Sequence, residues 1–173
     1  MFGIRFKPAG IAAFTRVSVD AFTNRSVELS LVEILLDNSF HEILYGKKST
    51  GKMIAYIDSY LLHWLPCIYN TEKQIICAVD LTYLAKGQLS LTKTVSGVCL
   101  CPQHFERKFK SAVSISPKAF AWVVRFKHAL RCLENYPYKD LLSVVVAGGY
   151  YDHAHLIKDL ITFSGDIPVG FRR

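Results

Sequence analysis

Two segments of the chain repeat each other at a constant offset, residues 101–110 matching residues 152–161, and this repeat constrains the fold more than any other feature of the sequence. Paired positions share chemical type and register, the pairs being His104 with His155, Phe105 with Leu156, Arg107 with Lys158, Phe109 with Leu160, Pro117 with Pro168 and Phe120 with Phe171. A repeat of this length predicts one supersecondary unit that is used twice. It does not predict a solenoid, in which about three or more copies normally stack.

Length and composition favour a globular protein with a buried core. The 173 residues are 51% hydrophobic, which is enough for one medium-sized domain or two small ones. No uninterrupted apolar run approaches the roughly 20 residues that span a bilayer, and residues 1–8 lack the apolar core of a signal peptide. We therefore expect a cytoplasmic protein without a membrane segment. The five cysteines form no C-x-x-C pair, so reduced thiols are expected rather than a disulfide framework.

The positive charge is concentrated in the second part of the chain. Residues 1–70 carry 7 Lys/Arg against 6 Asp/Glu, a net charge of +1, whereas residues 71–173 carry 14 against 8, a net charge of +6. A basic excess favours polyanionic partners, but by itself it fits DNA, RNA or an acidic membrane surface equally well.

Residues 1–70 are predicted to form a helical connector preceded by a short strand. Apolar and polar positions alternate over residues 2–7, which predicts a strand that Pro8 ends. Apolar residues at helical spacing predict helices over residues 31–45 and 50–65, and Pro66 is expected to end the second.

Six further helices are predicted in residues 71–173. The capping-box pattern of residues 71–74 predicts a helix over about residues 72–86, and Ser116 followed by Pro117 predicts the start of a long helix that ends at Asn135. Asp152 is expected to cap the last helix, which stops near Gly165. The other predicted helices cover residues 91–98, 102–113 and 140–147.

The order of these elements is typical of a helix-turn-helix used twice. A short helix, a tight turn and a second helix with a basic start occur in both copies of the repeat. The helix over residues 116–135 would be about 30 Å long, close to the ~34 Å of one turn of B-DNA. We therefore expect a mainly α fold in which two helix-turn-helix subdomains are joined by a linker helix. Its length suits two recognition helices that enter successive major grooves of one duplex.

Residues 72–171 resemble the double helix-turn-helix DNA-binding domain of AraC-type transcription regulators. The most specific stretch is residues 149–158 followed by residues 163–165 and Pro168, which is similar to the family signature in the second unit, while residues 116–120 with Arg125 and Phe126 are similar to the entry into its linker helix. Residues 2–65 look like the tail and helical connector of a sensor region in one subgroup, which would mean that most of the effector domain is absent from this chain.

The resemblance implies both a domain organisation and a function. Residues 1–70 would be the remnant of the sensor region with its connector, and residues 71–173 the DNA-binding domain. The implied function is that of a sequence-specific transcription regulator that binds double-stranded DNA, with RNA polymerase as a further candidate partner and with homodimerisation through residues 1–70.

The resemblance and the positions together imply eight DNA-facing residues. They are Gln103, His104, Arg107 and Lys110 in the first unit and His153, Ala154, Lys158 and Thr162 in the second. Arginine and glutamine read guanine and adenine edges with paired hydrogen bonds, whereas lysine suits phosphates. His155 lies in the first turn after the cap, where we expect a structural hydrogen bond rather than a base contact.

The sequence departs from the family pattern more in the first unit than in the second. Val95 and Val145 stand where the family usually has a small alanine, and overpacking of this kind costs about 1–3 kcal/mol. In the first unit Gly97 weakens a helix, Cys99 replaces a turn glycine and Cys101 replaces an N-cap serine. The second unit keeps its turn glycine and its cap, so we expect it to be the better formed.

The sequence leaves three alternatives to DNA binding to consider, namely a metal site, an enzyme and an interaction protein. Cys99, Cys101 and His104 lack a fourth zinc ligand at a usual interval, so neither a metal nor another cofactor is expected. A cysteine nucleophile paired with a histidine has no supporting motif, so no enzymatic activity is expected. The remaining alternative is a shortened interaction protein that does not bind DNA and pairs with a full-length regulator.

Overall fold

The structure is a computed structural model that describes residues 3–15, 17–27, 38–68, 73–98, 100–135 and 141–165. This part of the chain is mainly α-helical. Its α-helices are α1 (Asn38–Tyr45), α2 (Thr50–Ile68), α3 (Lys73–Leu84), α4 (Leu91–Val98), α5 (Pro102–Val113), α6 (Pro117–Asn135), α7 (Leu141–Gly148) and α8 (His153–Ser164).

The short strand predicted for residues 2–7 is not found, since residues 3–7 lie outside any helix or strand and residue 2 is outside the described residues. A strand needs a partner whose backbone pairs with its own N–H and C=O groups. Here the backbone instead turns locally, with the Gly10 amide donating to the Lys7 carbonyl at 2.8 Å. The 3₁₀ turn Ile11–Ala13 follows, and the rings of Phe6 and Phe14 lie 5.7 Å apart.

The helix predictions agree closely with the observed helices where local signals mark both ends. The bounds of α4, α5, α6 and α8 match the predicted ones. The start of the helix predicted over residues 31–45 lies outside the described residues. Pro66 was wrongly expected to end α2, which continues to Ile68. Proline lacks the N–H that would bond to the preceding turn, and its ring clashes with the carbonyl group four residues earlier. Its φ is nevertheless helical, so a final turn can follow it.

The chain divides into two compact units, the first comprising residues 1–79 with 100–116 and the second comprising residues 80–99 with 117–173. In the first unit, α5 packs against the 3₁₀ turns Ile11–Ala13 and Val19–Phe22. Two side-chain hydrogen bonds fasten this contact. The Ser18 hydroxyl donates to Ser111 Oγ at 2.7 Å, and the hydroxyls of Thr23 and Ser114 lie 2.7 Å apart.

The first unit also contains the helical hairpin of α1 and α2. Its centre is Phe40, which is buried and lies against Tyr56 and Tyr60 with ring centroids 5.6 and 4.8 Å apart. The Lys47 ammonium group lies 5.1 Å from the centre of the Tyr56 ring, a cation–π contact that stabilises the turn between the two helices.

The core of the second unit is formed by α6, α7 and α8. Its buried side chains are Phe126, Ala129, Leu133, Val144, Val145, Tyr150, Leu156 and Leu160. The end of α3 lies against α6 at Gly87, whose φ is +75°. A Cβ atom built on Gly87 would lie 2.3 Å from the Ala121 carbonyl oxygen, so only glycine allows the two backbones this close.

Candidate nucleic-acid interface

The second helix-turn-helix is α7, the turn of residues 149–152, and α8. Gly149 ends α7 in the left-handed region, with φ +67°. The Tyr150 amide donates to the Val145 carbonyl at 2.9 Å and the Gly149 amide to the Val146 carbonyl at 3.2 Å. These two bonds form a Schellman motif, which satisfies the last carbonyls of α7 and fixes the direction in which the chain leaves it.

Gln88 supports this turn from outside. Its side-chain amide donates to the Ala147 carbonyl at 3.1 Å. A Cβ atom on Gly149 would lie within 2.5–2.9 Å of the Gln88 side chain. The backbone of the turn therefore lies so close to Gln88 that a side chain at position 149 would displace it.

Asp152 starts α8 as its N-cap. Its backbone is extended, and its carboxylate accepts a hydrogen bond from the His155 amide at 2.7 Å. The cap satisfies one of the amide groups that have no partner inside the first turn. The His155 ring packs edge-on against Tyr150 with centroids 5.2 Å apart, so both the amide and the ring of His155 contact the turn.

One face of α8 is buried against α6 and α7. Leu156 and Leu160 are fully buried in the core that Val144 and Val145 share. The Phe163 ring lies on Phe126, stacked at 4.6 Å, although 37% of Phe163 is still exposed. Val145, expected to overpack this crossing, is a buried member of the core.

The opposite face of α8 is exposed, and all four residues predicted for the second unit lie there. His153, Ala154, Lys158 and Thr162 are exposed. The Thr162 hydroxyl donates to the Lys158 carbonyl at 2.7 Å, so its proton is used within the helix. The structure thus brings these four residues together on one surface.

A polar cluster of Arg125, Tyr150 and Asp159, which the sequence pattern did not predict, lies beside this surface. Arg125 of α6 lies 3.4 Å from the Asp159 carboxylate of α8, and its guanidinium group lies 4.8 Å from the centre of the Tyr150 ring. The Arg125 side chain therefore joins α6 to the turn and to α8. A charged residue at position 159 between Lys158 and Leu160 was a usable signal, because a helix that buries Leu156 and Leu160 also turns position 159 inward.

Two titratable groups near the turn have shifted pKa values. Burial, reinforced by the charge of the Asp159 carboxylate, raises the pKa of Tyr150 to about 12. The Tyr150 hydroxyl and Arg125 Nε are buried and make no hydrogen bond within the described residues. Burial, together with the positive charges of Lys86 and Arg131, lowers the pKa of His128, while a hydrogen bond to the backbone of Ala147 opposes that shift.

The four residues predicted for the first helix-turn-helix lie on α5, which belongs to the first compact unit. Gln103, Arg107 and Lys110 are exposed, and His104 is half-buried. Arg107 lies 3.2 Å from His104 Nδ1, so these two side chains form a pair on the helix surface. Cys101 occupies the N-cap position without a side-chain cap, as its replacement of a capping serine predicts.

The two copies of the repeat share their pattern of burial. In α4 the buried positions are Thr94, Val95 and Val98, and in α7 they are residues 144, 145 and 148, each 50 positions later. Both α5 and α8 have 12 residues, and Phe105 and Phe109 are buried at the places of Leu156 and Leu160. Since the second helices repeat at 51 positions and the first at 50, the second turn is one residue longer.

The same equivalence extends to the helix ends. Ser114 and Gly165 both end their helices in the left-handed region, with φ of +79° and +75°. Ser114 has a Cβ atom, which makes the left-handed conformation less favourable for it than for glycine. Pro168 and Phe171, the last pairs of the repeat, lie outside the described residues.

Comparisons with protein-family models, with curated proteins and with solved structures find no match to this chain. Within the described ranges, no three histidine, cysteine or acidic side chains are grouped as a metal ion requires, and Cys99 lies outside those ranges. None of the described helices is long and apolar enough to cross a membrane.

Proposed function

We propose that the protein is a sequence-specific transcription regulator of the AraC type that binds duplex DNA. The observation that carries the proposal is the geometry of α7, its turn and α8. A glycine-ended first helix, a capped second helix and a firmly packed inner face leave His153, Ala154, Lys158 and Thr162 on one exposed surface. Recognition helices of helix-turn-helix proteins present side chains to the major groove in this manner.

Charge supports a polyanionic partner for the same part of the chain. Residues 71–173 have a net charge of +6, with 14 Lys/Arg against 8 Asp/Glu. In this proposal α5 contributes Gln103, His104, Arg107 and Lys110 as a second recognition helix. The proposal includes the insertion of both recognition helices into successive major grooves of one duplex. RNA polymerase as a partner, homodimerisation through residues 1–70 and a cytoplasmic location belong to the same proposal.

The first test is duplex binding by the full chain in a gel-shift titration against salt. Neutralisation of phosphates releases counterions, so the affinity is expected to fall by at least about tenfold between 50 and 200 mM salt. Equal affinity at both salt concentrations would contradict the proposal and favour a role in protein interaction.

A pair of matched substitutions then tests the two recognition helices. Lys158 and Arg107 hold equivalent places in the repeat, so Lys158→Ala and Arg107→Ala remove a cation from the same position of α8 and α5. We expect both to weaken binding to a selected duplex, and Lys158→Ala to weaken it more, because Asp152 caps α8 while Cys101 leaves α5 without a side-chain cap.

The control is Lys52→Ala, which removes an exposed lysine of α2 outside the proposed interface. Footprints and titrations on one selected duplex measure all four proteins. A larger loss of affinity with Arg107→Ala would show that the ranking of the two helices is wrong, and a loss with Lys52→Ala equal to both would place the interface elsewhere.

A further inference from the structure

The centre of the exposed face of α8 is formed by three residues at helical spacing. Ala154, Lys158 and Ile161 are related as i, i+4 and i+7, so they lie along one stripe of the helix. The stripe lies opposite Leu156 and Leu160, which are fully buried. Lys158 is therefore flanked by one methyl group and by an isoleucine that is 48% exposed.

The composition of α8 limits how it can distinguish base pairs. From His153 to Ser164 it contains no asparagine or glutamine, which pair with adenine through two hydrogen bonds, and no arginine, which pairs with guanine in the same way. Among the side chains at the centre of the exposed face, Lys158 is the one that can pair with guanine. Thr162, on the edge of the exposed face, has its hydroxyl proton engaged by the Lys158 carbonyl. The other two residues at the centre of this face, Ala154 and Ile161, offer apolar contacts.

One base feature of the major groove is apolar, namely the C5 methyl group of thymine. We propose that α8 discriminates DNA sequences by contacting thymine methyl groups with Ala154 and Ile161, while Lys158 between them binds a phosphate or a guanine. This inference rests on the proposed function, because it concerns the same surface and the same ligand. It adds the chemical feature that the surface reads and the two residues that read it.

Charge as well as shape favours DNA as the occupant of this face. An apolar stripe alone would suit a protein partner equally well. The stripe here has a lysine at its centre, and it belongs to a part of the chain whose net charge is +6. DNA offers thymine methyl groups to the apolar residues and phosphates to the lysine. A purely apolar partner would bury the Lys158 ammonium group without compensation.

The test compares thymine with uracil, which differ only in that methyl group. A duplex is first selected by the full chain from a random pool, and the same sequence is then made with deoxyuridine in place of every thymidine. Each contacted methyl group is worth about fourfold in affinity, as for one buried CH₂ group. With two contacts we expect uracil DNA to bind roughly 10- to 20-fold more weakly at one salt concentration.

Ala154→Gly and Ile161→Ala identify the residues that make the contacts. Each variant should lose affinity for thymine DNA and should bind uracil DNA about as well as the parent protein does. The uracil arm also measures the effect of glycine on the helix, because weaker folding would lower the affinity for both duplexes equally. Circular dichroism confirms that each variant is helical.

The outcomes separate this inference from the proposed function. Salt-dependent binding with equal affinity for thymine and uracil DNA would overturn the thymine contact and leave DNA binding in place. Equal losses on both duplexes for both variants would also overturn it. A protein that binds no duplex at all would overturn the two proposals together.

Discussion

Gly149 shows how a single residue determines the geometry of the helix-turn-helix. Its φ of +67° lies where side chains are unfavourable, and a Cβ atom would lie 2.5 Å from Gln88 Cδ. We expect Gly149→Ala to lower the free energy of unfolding by about 2 kcal/mol, since it combines the left-handed conformation with the loss of the Gln88 hydrogen bond to Ala147. Urea titration measures the change.

Gly97→Ala is the matched control for this substitution, with the opposite sign. Gly97 lies inside α4, and among the described residues a Cβ atom there would meet Leu81 Cδ1 at 3.5 Å, an ordinary contact. Alanine should stabilise the helix by about 0.5–1 kcal/mol. If both alanine variants changed stability in the same direction, the constraint assigned to Gly149 would be wrong.

Tyr150 gives a prediction about alkaline pH. Its pKa is raised from 10.0 to about 12, so the folded protein holds the phenolic proton more tightly than the unfolded chain does. The corresponding stability is complete below pH 10 and is lost as the pH rises through about 12. Tyr150→Phe should reduce the fall in melting temperature over this range.

The control is Tyr151→Phe, because Tyr151 is 92% exposed and adjacent in sequence. Its effect on the free energy of unfolding should stay within about 0.5 kcal/mol. Parallel pH profiles for the parent and the Tyr150→Phe variant would contradict the cause assigned to the shift.

At the level of elements, the two recognition helices differ in their caps. Asp152 accepts a hydrogen bond from the His155 amide, whereas Cys101 provides no side-chain cap for α5. Asp152→Ala should destabilise the protein by about 1 kcal/mol, and Cys101→Ser should stabilise it by a similar amount. Chemical denaturation of both variants beside the parent measures the two changes, and a neutral Cys101→Ser would mean that another group already satisfies the start of α5.

At the level of the whole molecule, each compact unit is held by contacts between segments distant in sequence. In the second unit one ion pair joins α6 to α8, and Asp159 is buried while Arg125 is partly exposed. Removal of one partner leaves the other charge without compensation, so Asp159→Ala should cost about 2–3 kcal/mol.

The double variant Arg125→Met with Asp159→Ala tests whether that cost comes from the uncompensated charge. We expect the double variant to be less destabilised than the sum of its two single variants, as a double-mutant cycle in urea measures. Strict additivity would mean that the two side chains do not interact in solution.

Local signals in the sequence determined most of the helices. Pro102 and Pro117 stand at first helical positions, Asp152 caps α8 and Gly165 ends it, so the bounds of these helices follow from the chemistry of a few adjacent residues. The exposure of His153, Ala154, Lys158 and Thr162 likewise follows from the spacing of Leu156 and Leu160.

Tertiary structure decided what depends on partners far along the chain. The strand predicted for residues 2–7 needed another strand, which the described residues do not provide. The 3₁₀ turns Ile11–Ala13 and Val19–Phe22, which follow in the chain, pack on α5. The contact of Arg125 with Tyr150 and Asp159 joins residues up to 34 positions apart, and their types alone do not reveal it. Capping and helical periodicity act within about one or two turns, whereas ion pairs, ring contacts and strand pairing depend on where the folded chain brings its segments together.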